Sequence, residues 1–301
     1  MERLTLSAPG KTFLVGEYLA LSGGPSLVLS TGPRFELVAS RHGARTAPFP
    51  KGSPADKFLE KNPGLHAEFP MLEFRDPHAG KGGLGASSAQ FALAYILAKG
   101  WEKFSPATCD WKELLADYRS VAWSGEGSAP SGADVVAQLS GGVTWFDGTK
   151  HRAEVLEWAF PSLSFTLLRT GTKLATHEHL RTRQAAPQEA LRHAVGEARN
   201  ALETRDQTRL VGAVRQAGEA LAESGLVAET TRELLSGIKA RPGLFLAAKG
   251  CGALGADVVL TLHERSSGPE VEAWAGERGL EICGTESSLE RGLRVTEGER
   301  A

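Results

Sequence analysis

Cysteine is scarce in this chain and scattered: Cys109, Cys251 and Cys283 are its three thiols, and no C-x-x-C pair occurs. That excludes a zinc ribbon, a redox dithiol and a dense disulfide framework, and it fits a reducing, cytoplasmic compartment. Long apolar runs are missing too. No stretch approaches about 18 uninterrupted apolar residues, and Met1-Glu2-Arg3-Leu4-Thr5-Leu6-Ser7 lacks the apolar core of a secretory signal, so no membrane partner is expected. Neither sign of charge is in excess: 34 basic against 36 acidic residues give a net charge of −2. Without a basic surplus the chain is not expected to bind a nucleic-acid backbone.

What is plentiful is glycine. The 35 glycines exceed the usual fraction of roughly 7% and gather in short clusters, as loops do where backbone must approach something closely. At 301 residues, 41% hydrophobic and 23% charged, the chain can bury a sizeable core as one large domain or two ordinary ones.

Strand patterns open the chain at 4–7, 11–15, 26–30 and 35–39, with a turn at Ser22-Gly23-Gly24-Pro25. Residues 41–64, rich in glycine, proline and charge without a period, read as a long excursion able to fold over a site. The stretch 87–99 is apolar almost all round, the pattern of a buried helix, with Ser87 or Ser88 as its cap. Helical spacing follows over 111–123 and 133–139, then a strand at 142–146. The second half reads as a strand at 164–169, helices at 188–202, 208–223 and 228–239, a strand at 258–262, a helix at 270–277, and strands at 281–284 and 293–295. The class is α+β, with an N-terminal domain at 1–158 and a C-terminal domain at 159–301.

Gly80-Lys81-Gly82-Gly83-Leu84-Gly85 formally satisfies G-x-G-x-x-G. A dinucleotide fold, however, needs a second strand ending in an acid about 20 residues on, and here one helix leads into another. Gly10-Lys11-Thr12 imitates the end of a Walker A loop, but Thr5 stands where its first glycine belongs. What survives is a glycine loop running into Ser87 and Ser88 at a helix start, where unpaired N–H groups and the helix dipole attract an anion. A serine hydroxyl there can reach a magnesium ion. An ordinary glycine turn before a core helix fits the same residues.

Three separated segments resemble the GHMP kinase superfamily, the group of galactokinase, homoserine kinase, mevalonate kinase and phosphomevalonate kinase. They are Ala8-Pro9-Gly10-Lys11-Thr12-Phe13-Leu14-Val15-Gly16-Glu17-Tyr18, Gly83-Leu84-Gly85-Ala86-Ser87-Ser88-Ala89, and Lys249-Gly250-Cys251-Gly252-Ala253-Leu254-Gly255-Ala256-Asp257. A fourth, Pro130-Ser131-Gly132-Ala133-Asp134, is similar to the stretch in which mevalonate-type kinases keep an aspartate. The resemblance implies a two-domain fold, a ribosomal-protein-S5-domain-2-like domain followed by a ferredoxin-like one, with the active site between them.

It also implies ATP and Mg2+, with Gly83, Leu84, Gly85, Ala86, Ser87 and Ser88 around the phosphates, Asp134 and Lys11 catalytic, and Ser87 and Glu126 on the metal. Glu126 stands closer to Asp134 than the family spacing, and an exposed loop carboxylate is the other account of it. Asp134 as a plain helix cap is likewise the other account of that residue.

Gly16-Glu17-Tyr18, Asp257 and Thr170-Gly171-Thr172-Lys173-Leu174-Ala175-Thr176 look like phosphomevalonate kinase, whereas Pro130-Ser131-Gly132 is nearer to mevalonate kinase. On the acceptor side the resemblance places Glu17, Tyr18, Ser131, Gly132, Lys173, Thr176, Gly252, Ala253 and Asp257. Lys173, Thr172, Thr176 and Arg169 are the cations and hydroxyls suited to an anionic acceptor. His177 and His179 form an H-x-H without a third ligand at sensible spacing, so zinc is not expected. Two departures stand out: Ala86 replaces a serine, and Leu254 replaces a glycine where positive φ is costly, so the third motif is expected to be shaped differently. The implied partner is a small-molecule acid, the chain acting as monomer or homodimer. A catalytically inactive metabolite binder on the same fold is the remaining alternative.

Overall fold

Two long antiparallel strands organise the first sheet of the computed structural model, which describes residues 2–78, 81–171, 186–255 and 257–298. β1 (Arg3–Val15) and β2 (Pro25–Ser40) each run unbroken through what reads as two shorter strands. Their register shifts between Ala8 and Gly10 and again between Phe13 and Val15. Each shift reverses which residues face which side. Leu4, Leu6, Ala8 and then Phe13 therefore face one core, while Leu14 and Val15 face another.

β3 (Met71–Arg75) pairs with the second half of β2, and β4 (Val143–Asp147) with its first half. β5 (Arg152–Leu156), which alternation did not reveal, pairs with β4. The sheet is completed by β10 (Arg294–Gly298), which runs antiparallel to residues Arg3 to Ser7 of β1. The division at 158/159 is thus corrected at one point, because the last strand returns to the first sheet. It covers the edge of β1, whose N–H and C=O groups would otherwise stand unpaired.

One face of this sheet is covered by α2 (Pro54–Lys61), α4 (Ala86–Lys99), α5 (Trp111–Ala122) and α6 (Ala133–Ser140). α2 and α3 (Gly64–Glu68) arise within and just after the 41–64 excursion. Ser53 accepts the Asp56 N–H and Pro54 opens α2, both ordinary helix-start signals. Phe58 packs on Phe91 and Tyr95 with ring centroids 5.3 and 5.8 Å away. The segment is part of the core layer rather than a cover over the site.

The other face meets the second domain. Its sheet runs in the order β7 (Ala247–Cys251), β8 (Val258–Glu264), β6 (Leu163–Arg169), β9 (Glu281–Thr285). α7 (Gln188–Thr204) and α8 (Gln207–Glu223) pair through buried Ala194, Ala198, Ala201, Ala213 and Ala217 and pack on β1 and, respectively, on β2 and β7. α9 (Glu229–Lys239) and α10 (Gly268–Gly276) complete the domain. Leu14, Leu27, Leu29 and Val143 of the first sheet share one apolar cluster with Phe165, Leu167, Val195 and Val214.

A buried ion pair crosses this apolar junction beside β7. Lys249 is 0% exposed, and its Nζ donates to Glu17 Oε1 at 2.6 Å, with Cys251 Sγ at 3.3 Å and the Phe13 carbonyl at 3.4 Å. Burial alone would lower this ammonium's pKa, but Cys251 and Glu17 outweigh it and raise the group to about 12. Burial also pushes the Cys251 thiol up, so at neutral pH the sulfur is uncharged and Glu17 is the counter-ion.

Lys249→Met strands the Glu17 carboxylate and is expected to cost about 3–5 kcal/mol, read as a lower denaturant midpoint. The double variant Glu17→Leu/Lys249→Met should recover most of that loss; a single variant as stable as the parent would contradict the buried pair. A second expectation concerns His263, whose Nδ1–H donates to the Glu264 carbonyl (2.8 Å) while Nε2 meets the Thr166 hydroxyl (2.9 Å). Burial lowers its pKa. Its neutral form therefore contributes stability that is complete above the unfolded imidazole's value of about 6.5 and is lost as pH falls through and below it. Denaturation midpoints compared at about pH 7.5 and about pH 5.5 should fall less in His263→Gln than in the parent, and an equal fall removes His263 as a cause.

Candidate active site

The glycine loop is built from the carbonyl side. Leu84, only 1% exposed, plugs into the core shared by the domains, and its carbonyl accepts the Lys11 N–H at 2.9 Å. The Gly85 carbonyl accepts Gln138 Nε2 at 3.0 Å and Ser88 Oγ at 2.9 Å. In a trans peptide the C=O of one residue and the N–H of the next point opposite ways. The N–H groups of Gly85 and Ala86 are thereby turned outward, joining the unpaired donors of the first turn of α4 in an anion cradle. Gly85 itself has φ +84°, and a Cβ on it would lie 2.8 Å from Lys11 Cγ, so no other residue fits between loop and strand.

The expected serine cap is corrected. The N-cap of α4 is Gly85 without a side-chain bond, because Ser88 is buried with its hydroxyl committed to the Gly85 carbonyl. Ser87, beside it, is exposed at the start of α4.

Lys11 shares its strand face with Phe13, its Nζ 5.3 Å from the ring centroid. Asp134 lies in the first turn of α6, half-buried, with Oδ1 accepting the Val135 N–H at 3.0 Å. One turn further along the same helix, Gln138 donates to both Pro9 O and Gly85 O at 3.0 Å. The helix face carrying Asp134 is therefore the one that grips β1 and the glycine loop. Arg119 holds the turn before α6 through the carbonyls of Pro130 (3.2 Å) and Ser131 (3.4 Å). Ser131 Oγ accepts the Ala133 N–H at 3.3 Å, and a Cβ on Gly132 would sit 2.0 Å from Leu115. Ser131 and Gly132, expected on the acceptor side, thus have a local task in shaping that turn.

The third motif departs from β7. Leu254 does adopt positive φ, at +53°, contrary to the expectation of a different shape. The conformation costs about 1–2 kcal/mol. It is offset where the Leu254 N–H donates to Tyr18 Oη (3.1 Å) and the Leu254 carbonyl accepts the Ala228 N–H (2.8 Å). Burial raises the Tyr18 phenol to about 12. Glu17 is paired with Lys249, so both polar groups of the Glu17-Tyr18 step bind the third motif, which corrects their expected place among acceptor contacts. The sequence did not disclose this because nothing local marks Lys249 as fully buried.

Asp257 lies between motifs: a Cβ on Gly252 would be 2.4 Å from its Oδ2, and one on Gly83 would be 3.1 Å from its Cβ. Glycine loop, β1 and third motif converge. Ala253 belongs to the short turn 253–255. Glu126 stands exposed between α5 and α6, its carbonyl accepting the Trp123 indole N–H at 2.9 Å. Lys173, Thr176, Thr172, His177 and His179 lie outside the described residues. Arg169 is buried against the Gly82 carbonyl rather than offered to an acceptor. Gln138, Arg119 and the role of Arg169 were missed, since their partners are main-chain carbonyls that carry no sequence signal. Among the described residues no group of three or more His, Cys, Asp or Glu is disposed to hold a metal ion.

No family model and no curated protein sequence matches the chain. Solved structures do. The Lin0012 protein from Listeria innocua superposes with a TM-score of 0.77 at 16% identity, over 98% of this chain and 100% of that one. Streptococcus pneumoniae phosphomevalonate kinase, in complex with phosphomevalonate and AMPPNP, gives 0.74 at 14% identity over 94% and 99%. L. major mevalonate kinase with R-mevalonate gives 0.66 at 16% identity over 95% of each. Matched end to end in this way, the chain has the fold of these solved structures: two mixed layers joined along one apolar junction.

Proposed function

We propose that this chain transfers the terminal phosphoryl group of ATP to 5-phosphomevalonate, giving 5-diphosphomevalonate in the mevalonate pathway of isoprenoid biosynthesis. The observation that carries it is the convergence of three distant segments: Leu84 bonded to Lys11, and Gly83 against Asp257. The outward N–H groups at the start of α4 suit ATP phosphates. The acceptor hydroxyl or phosphate oxygen attacks the γ-phosphorus in line as its bond to the β,γ-bridging oxygen breaks and ADP leaves, and the protein's share is positioning and charge. Asp134 orients the attacking oxygen and accepts a proton where the acceptor carries one; Lys11 offsets the growing negative charge.

The exposed Ser87 hydroxyl and Glu126 carboxylate are oxygen donors of the kind a hard cation takes, so both are assigned to magnesium. The ion, when bound, would offset the negative charge of the phosphates. Lys173, Thr176 and Asp257 are assigned to the acceptor, and the chain is placed in the cytoplasm as monomer or homodimer.

Phosphorylation of mevalonate itself is the alternative, favoured by Pro130-Ser131-Gly132. An inactive binder is disfavoured because Lys11, Ser87 and Asp134 are all present. A coupled ADP-release assay comparing 5-phosphomevalonate with mevalonate decides: faster turnover of mevalonate reverses the order, and no turnover of either removes the kinase assignment. Asp134→Asn should fold with unchanged stability yet lose roughly a hundredfold or more in kcat. Near-normal turnover would show that Asp134 is not catalytic. Lys173→Ala should raise the KM of the acceptor more than that of ATP, and equal effects take Lys173 off the acceptor side.

A further inference from the structure

Three loop carbonyls, Gly82, Leu84 and Gly85, are turned into the protein by donors. The first domain supplies the donors to Leu84 and Gly85; the donor to Gly82 is Arg169 Nη1, at the end of β6 in the second domain. We propose that Arg169 is a positioning residue for nucleotide binding, holding the Gly82–Gly83 peptide so that the Gly83 N–H faces the phosphates alongside those of Gly85 and Ala86. This inference rests on the kinase assignment of the same loop.

Four observations meet here. Arg169 is 7% exposed, and its Nε lies 3.5 Å from Glu281 Oε2. The same carboxylate oxygen takes Lys81 Nζ at 2.8 Å, so the second domain holds two consecutive loop residues, one by side chain and one by carbonyl. Thr170, next to Arg169, donates its N–H to the Asp257 carbonyl at 3.3 Å, and Asp257 abuts Gly83. The last residue of β6 and the residue that follows it therefore secure the glycine loop and the third motif together. Finally, Nη2 of Arg169 is buried without a hydrogen bond among the described residues, and Nε meets Glu281 only at the long distance of 3.5 Å. A buried, incompletely bonded cation is a poor device for stability, since an apolar side chain of similar volume usually serves as well or better. Behind a loop that binds phosphate, its charge and its fixed fork both favour the anion.

The test is titration of the full chain with AMPPNP, followed by steady-state kinetics. Arg169→Met is expected to weaken AMPPNP about tenfold, the equivalent of one charge-assisted hydrogen bond. The ATP KM should rise in parallel, while kcat at saturation stays within about threefold and the acceptor KM within about twofold. Arg169→Lys, which keeps the charge without the fork, should fall between variant and parent. A merely structural arginine would lower the melting temperature and leave AMPPNP affinity unchanged, and that result overturns the proposal. Should Arg169→Met fail to fold, Lys81→Met decides at an exposed position: about threefold weaker AMPPNP supports the inter-domain hold on the loop, and parental affinity ends it. If the parent chain binds no AMPPNP at all, it is the kinase assignment that fails first, and the two failures are told apart by that control.

Discussion

Lys249 has no contact with solvent, so its ammonium must keep Glu17, and that requirement governs how the two domains meet. The apolar cluster around Leu14, Leu29, Phe165 and Leu167 supplies most of the driving force for the junction, but apolar contact is non-directional and tolerates sliding. A 2.6 Å ion pair does not. It sets β7 against the end of β1, and the turn that follows β7 then comes within reach of Tyr18, which accepts the Leu254 N–H and helps hold the leucine at positive φ. The third motif owes its place to a charge pair that touches no ligand.

From that placement the anion cradle follows. A glycine-rich segment has little conformational preference of its own, and the direction of its N–H groups depends on what binds its carbonyls. Here a strand N–H from Lys11, a glutamine on α6 and an arginine on β6 each take one carbonyl. Both domains therefore contribute to a site that looks, in sequence, like a single contiguous loop. Gln138 also ties the loop to the helix that carries Asp134, so the assigned phosphate donors and the assigned base share one rigid mount.

Local signals were legible wherever one segment satisfies its own physics. The helices at 111–123 and 208–223 follow from their spacing, and the structure opens them with the bonded caps Asp110 and Asp206, whereas α2, opened by Ser53, lies in the stretch that reads as an excursion without a period. The α4 cap misled, because Ser88 bonds back to Gly85 in place of capping. β7 was hidden, since Lys249-Gly250-Cys251 reads as a glycine motif and not as a strand. β10 was visible as a strand but not as a partner of β1, a pairing that joins the two ends of the chain. The same division holds at the site. Lys11, Ser87 and Asp134 stand out by motif, whereas Arg119, Gln138 and Arg169 act on carbonyls whose own side chains say nothing.

The corrections at Glu17 and Tyr18 move the question of acceptor choice. Both resemble marks of phosphomevalonate kinase, yet Glu17 is the counter-ion of a buried lysine and Tyr18 braces Leu254. Residues bound to structural partners in this way answer to the domain junction, and a change in either would be felt first as instability or as a displaced third motif. Discrimination between a mono-anionic and a more highly charged acceptor must then come from cations on the acceptor side, because each added negative charge is favoured only where a positive partner or directed N–H awaits it. Arg169 is engaged beneath the phosphate loop and is not available for that purpose. Lys173, which follows β6 in the sequence, is the cation proposed for that purpose, and the proposed choice of a phosphorylated acid rests on it more than on the Gly16-Glu17-Tyr18 step.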